Sequence, residues 1–185
     1  MEHTILTIIA LISLSPATLA RHSPLPAPNH EDSGEILPST IEAAEPLCGT
    51  AESDYAPCLS RERADSLFSQ CCELHAPAGC RSLCTYESDE ATARNALMEA
   101  VESGKCKLRE VSSILYCASQ NQDNKACCAH LGLADPRLNV GDRCLRFCDP
   151  AGENGITSIT RKDVVCLFNW NVISYCAHSG IPFEK

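Results

Sequence analysis

The chain is poor in aromatic side chains, with one Trp, four Tyr and four Phe in 185 residues. That scarcity excludes a core built on large rings and leaves burial mainly to Leu, Ile and Val. Positive charge is in deficit: the formal net charge is -9, which argues against a nucleic-acid or anionic-lipid partner held by bulk electrostatics. Beyond residue 20 no run approaches the roughly 20 apolar residues that a membrane helix requires. Neither Gly-x-Ser-x-Gly nor His-Glu-x-x-His occurs, so no catalytic residue, no metal and no cofactor is expected, and the chain is read as not an enzyme. Asn-x-Ser/Thr is also missing, so no N-glycosylation is expected.

What the chain has is sulfur. Its fourteen cysteines are an even number, far above ordinary usage, and mark an oxidised scaffold. Twelve of them form two similar sets. Cys71-Cys72 is followed by Cys80 and Cys84, then by Cys106 and Cys117. Cys127-Cys128 is followed by Cys144 and Cys148, then by Cys166 and Cys176. The tails also read alike, Leu115-Tyr116-Cys117-Ala118 against Ser174-Tyr175-Cys176-Ala177. The expected fold is all-α, a small disulfide-rich helical domain made of two tandem six-cysteine halves.

Residues 1–20 read as a secretory signal, nearly uncharged from residue 4 to 19 and ending in Thr18-Leu19-Ala20. The departure is an opening with Glu2 and no Lys or Arg. Residues 21–47 carry Pro24, Pro26, Pro28, Pro38 and Pro46 with scattered Glu and Ser, the composition of a disordered lead. Residues 48–67 form an extension bracketed by Cys48 and Cys58 plus the start of a helix, residues 68–179 the cysteine-rich domain, and residues 180–185 a tail.

The helical spacing of Ala64, Leu67, Phe68, Cys71, Cys72 and His75 predicts a helix over 61–75 capped by Ser60. Ser88 is expected to open a second helix, with Ala93, Leu97, Ala100 and Val101 buried and Gly104 at its end. Leu108, Val111, Leu115 and Ala118 mark a third. A helix from about 123 to 131 holds the second doublet. Residues 133–142 read as an inserted loop and 149–159 as a Gly/Asn-rich one. A capping box at Thr160 and Asp163 predicts one last helix running to about Tyr175, with Val164, Leu167, Phe168 and Val172 as its stripe.

Helix geometry limits the bonds. Neighbouring residues diverge by about 100°, so the two members of a doublet aim at different partners. On an α-helix, Cys80 and Cys84 would share a face with Cβ atoms about 5–6 Å apart, beyond the roughly 3.5–4.5 Å that a disulfide spans. Cys106–Cys117 is too long on a helix, and Cys166–Cys176 likewise if that helix is continuous. Several pairings survive these tests. Treating the halves as copies gives the expectation Cys72–Cys106 with Cys128–Cys166, Cys80–Cys117 with Cys144–Cys176, and Cys71–Cys84 with Cys127–Cys148, plus Cys48–Cys58 outside the repeat. A metal site using His75 or His130 beside the doublets is outweighed by disulfides behind a signal sequence. His75 is expected half-buried and His130 on the surface. The basic cluster Lys105, Lys107 and Arg109 reads as a solvated helix end.

Phe68-Ser69-Gln70-Cys71-Cys72, Cys80-Arg81-Ser82-Leu83-Cys84, Asp123-Asn124-Lys125-Ala126-Cys127-Cys128 and Cys144-Leu145-Arg146-Phe147-Cys148-Asp149 resemble the nematode DB module over residues 68–179. The resemblance implies a secreted or cell-surface location and assigns no activity. The expected role is a secreted protein-interaction or matrix module with an extracellular protein as partner and no membrane anchor once the signal is removed. The alternative is a small-lipid carrier, since the cysteine order from Cys48 to Cys117 also resembles plant lipid-transfer proteins, although those have Cys-x-Cys where this chain has Cys80-x-x-x-Cys84. A protease inhibitor is the third reading.

Overall fold

The structure is a computed structural model that describes residues 47–183. The expectations for the signal sequence and nearly all of the proline-rich lead fall on residues outside that range. Among the described residues the fold is helical without strands, six α-helices and six short 3-10 segments. No helix there is long and apolar enough to cross a membrane.

Helix α1 (Arg61–His75) starts where Ser60 Oγ accepts from the Arg63 amide at 3.4 Å and stops at Ala76, ahead of Pro77. Its buried residues Ala64, Phe68 and Cys72 repeat every four positions, one face of a helix. Helix α2 (Glu90–Glu102) is capped by Asp89 and not by Ser88: Asp89 Oδ1 accepts from the Thr92 amide at 2.9 Å and its hydroxyl at 2.6 Å. One carboxylate oxygen accepts both bonds at once, and Asp is among the residues best suited to a helix N-cap. Gly104 follows at φ 71°, the left-handed exit that glycine enters without strain.

Helices α3 (Val111–Ser119) and α4 (Lys125–His130) follow in order. The expected single last helix is two, α5 (Val164–Leu167) and α6 (Trp170–Ser179), broken at Phe168 and Asn169. The residues that go inside are Cys166, Leu167, Trp170 and Ile173. Steps of three between Leu167, Trp170 and Ile173 do not fit one α-helical face, so the chain kinks to bury them. Phe168, expected in the stripe, is left 43% exposed. His75 is likewise exposed, not half-buried, edge-on to Tyr116 at 6.1 Å, because the face of α1 that goes inside carries Ala64, Phe68, Cys72 and, just after it, Ala76. His130 is exposed as expected, and its Nε2 lies 3.2 Å from Asp54 Oδ1.

All fourteen cysteines are paired, but six of the seven bonds differ from the expectation. Only Cys48–Cys58 stands. The first half is joined by Cys71–Cys117, Cys72–Cys84 and Cys80–Cys106, the second by Cys127–Cys176, Cys128–Cys148 and Cys144–Cys166. The expected copying of one half by the other therefore holds while the pairing within each half changes. The reason is the winding of the Cys-x-x-x-Cys segments. Ala78–Leu83 and Gly141–Cys148 are 3-10 helices, with about three residues per turn, so cysteines four apart diverge by about 120° and do not share a face. Cys80 and Cys144 consequently reach forward to the fifth cysteine of their half, Cys106 and Cys166, and Cys84 and Cys148 reach back to the doublet. The divergence within each doublet is as expected, Cys71 turning to α3 and Cys72 to the 3-10 segment.

One hydrophobic cluster spans both halves, and eleven of the cysteines lie in it among Phe68, Tyr86, Ile114, Leu115, Phe147 and Ile173. Helices α3 and α6, which hold equivalent positions in the repeat, pack on each other. Helix α2 has no counterpart, since 149–159 occupies its place in the second half, and it crosses over to pack on α6. Tyr86 ties the halves together. It lies against Phe68 at 4.8 Å and stacks on His178 of α6 at 5.1 Å, and its hydroxyl donates to the Ala118 carbonyl at 2.7 Å.

The His178 imidazole is buried beneath that stack, and its Nε2–H donates to the Leu59 carbonyl at 2.9 Å. Burial holds it below its ordinary value of 6.5; the Leu59 bond and Asp65 pull the other way, while Arg61 adds to the depression. The unfolded chain then takes up this proton more readily than the folded one. His178 is thus neutral with no penalty above pH 6.5, and stability falls as pH drops from 6.5 towards the depressed folded value. Urea titrations at pH 7 and pH 5 should show this loss, and a His178→Gln variant should lose that part of the slope. An unchanged slope in the variant would remove His178 as its source.

Candidate functional site

The lone α2 helix produces the feature with the clearest binding character. Facing α5 across the junction of the halves, it supplies Leu97, Met98 and Val101 to a groove of about 220 Å³. Leu108 lies at the groove, and Val164, Leu167 and Phe168 form the opposite wall. No polar surface lines it. Arg94 sits at the edge, where its Nη2 contacts Glu90 at 2.5 Å and its Nε donates to the Phe168 carbonyl at 3.4 Å. That bond fixes the backbone that presents the half-exposed Phe168 ring. Leu97, Val101, Leu108, Val164, Leu167 and Phe168 were all assigned to apolar helix faces by their spacing. What spacing could not show is that the α2 and α5 faces oppose each other, or that the kink at Asn169 turns Phe168 outward.

A larger cleft of about 560 Å³ lies beside α4 and is lined by Lys125, Asp142, Arg143, Arg146, Asp149 and Glu153. Its charges largely neutralise each other. Lys125 Nζ is 2.6 Å from Asp149 and 3.1 Å from Asp123, and Arg146 Nη2 is 2.6 Å from Asp163 Oδ1. Burial pushes the Asp163 carboxyl up, but the hydrogen bonds from Thr160 and the Arg146 cation outweigh it and hold the group below its usual range. Residues 85–89 lead into α2. Residues 133–142 contain the 3-10 turn Pro136–Leu138, and 149–159 is irregular.

Among the described residues neither His75 nor His130 belongs to a group of three or more side chains close enough to share an ion. Among the described residues the one group close enough to do so is Cys80, Cys106 and Glu110, and its two sulfurs are bonded to each other. Lys105, Lys107 and Arg109 are exposed, as expected of a solvated segment. Lys107 Nζ lies 4.0 Å from Glu110.

The family model of the DB module matches residues 70–177. No curated protein and no solved structure matches the chain. The matched stretch covers more than half of the sequence and holds the whole duplicated set of six disulfides, and a fold oxidised at every described cysteine suits an extracellular setting. The chain belongs to the DB module family.

Proposed function

We propose that this is a secreted, non-catalytic interaction module that binds an extracellular protein through the groove between α2 and α5. The observation that carries the reading is an apolar groove held open on a crosslinked frame, with Phe168 43% exposed at its lip. A rigid frame has little freedom to lose on association, which leaves more of the contact energy as affinity. Partly exposed aromatic residues beside a desolvated pocket are typical anchors of such contacts.

Size separates this reading from a lipid carrier. Pockets for small molecules usually enclose about 300–1,000 Å³, whereas a cavity of roughly 150 Å³ takes one benzene. A groove of about 220 Å³ matches a single bulky side chain and is smaller than the pockets that enclose a small-molecule ligand. Met98 makes the test direct, because Met1 is the only other methionine. With a diazirine analogue at Met98, irradiation in extracellular fluid should give a polypeptide adduct of discrete mass that disappears in a Phe168→Ser variant. Adducts of lipid alone, or a polypeptide pattern indifferent to Phe168→Ser, would refute the proposal.

A further inference from the structure

Resting on that reading of the groove, we infer that its partner is an acidic polypeptide segment bearing one bulky apolar anchor residue. The lining sets the anchor, as above. The charges around the lining set its flanks. Arg109 adjoins Leu108, and Arg161 and Lys162 lead into Val164; all three are exposed and enter no ion pair among the described residues. The acids nearby are mostly committed. Glu90 is held by Arg94 and Glu110 by Lys107, while buried Asp163 is held by Arg146 and Thr160. Glu102, next to Val101, and Glu99, next to Met98, are left exposed without an ion pair, but Glu99 lines a separate cavity with Ala96 and Ala100 on the far side of α2.

Three unpaired cations in the segments leading to the groove, against one unpaired acid beside it and one on the far side of α2, give the groove an edge opposite in sign to the chain as a whole, whose net charge is -9. An acidic segment is attracted here and repelled elsewhere, so the charge pattern orients the encounter as well as favouring it. Screening over about 8 Å at physiological salt confines this effect to the groove's immediate surroundings. An anionic polysaccharide would meet the same cations but offers nothing for the apolar floor.

The test is selection of a random twelve-residue phage library on the oxidised full chain, with counter-selection on Met98→Glu and Phe168→Ser, both at partly exposed positions. Groove-dependent clones should carry one Trp, Phe, Leu or Met flanked by Asp or Glu. A synthetic peptide of that sequence should bind at least about tenfold more weakly to a protein carrying Arg109→Glu, Arg161→Glu and Lys162→Glu, which should instead prefer the Lys-flanked analogue. Groove-dependent clones without acidic flanks, or binding unmoved by the triple reversal, would overturn the acidic partner and leave the groove reading intact. Heparin displacing the peptide while binding equally well to Met98→Glu would point to a polysaccharide and overturn it too. No clones at all, or clones that bind the counter-selection variants equally well, would overturn the groove reading itself.

Discussion

Replacing Cys71 and Cys117 together by alanine is expected to cost about 4 kcal/mol of stability, the loop-closure value for residues 46 apart in sequence. The bond joins α1 to α3, and its second sulfur is fully buried, so no solvent-side movement can absorb the loss. The matching double substitution at Cys48 and Cys58, which closes a separation of 10 at the edge of the domain, should cost less, about 3 kcal/mol by the same relation. Trp170 is the single tryptophan and is 3% exposed, so its fluorescence in urea reports both. A larger loss at Cys48–Cys58 than at Cys71–Cys117 would mean that the terminal loop, and not the helix pair, anchors the fold.

Gly79→Ala should be nearly as damaging, and by a different route. A methyl group at Gly79 would stand 1.8 Å from the Lys105 carbonyl oxygen and 2.7 Å from its carbon, so backbone would have to move. It cannot do so freely, because Cys80 and Cys106, the next residue on each side, are bonded with Cα atoms 4.6 Å apart. Overpacking usually costs about 1–3 kcal/mol, and this site, crossed by a covalent clamp, should lie at or above about 3 kcal/mol. Refolding from the reduced state should show it most sharply, with Cys106 in mixed disulfides and the native isomer in the minority. Refolding yields equal to those of the parent would show that the 78–80 turn can separate from Lys105 without penalty.

These two sites also show what the amino-acid order could and could not convey. The duplicated cysteine sets, the family resemblance and the cap at Ser60 were legible because they depend on neighbours in sequence. The pairing was not. It turned on whether 78–83 and 141–148 wind as α or 3-10, a difference of less than one residue per turn that redirects every bond in both halves. Nothing in the residues around Gly79 conveys that its missing side chain is what lets two backbone segments touch. Phe168 was assigned inward because periodicity assumed one helix where Asn169 divides two. Crosslinks and an apolar interior are also not alternatives here. The buried cystines are part of that interior, in contact with the aliphatic and aromatic residues that the small aromatic content made easy to underrate.

The groove was invisible for a related reason. Two apolar faces, each correctly recognised, oppose one another only because α2 lacks an equivalent in the second half and leans across the junction. An asymmetry in a repeat is a topological fact, and local spacing does not carry it.

The fold rests on one set of three bonds used twice, and non-reducing peptide mass spectrometry of the native protein, with electron-transfer fragmentation to separate the members of each doublet, tests this most directly. The fold predicts Cys71 on Cys117 and Cys72 on Cys84, mirrored by Cys127 on Cys176 and Cys128 on Cys148, with Cys80–Cys106 and Cys144–Cys166 completing each half. Doublets joined the other way round, or two halves with different patterns, would contradict it.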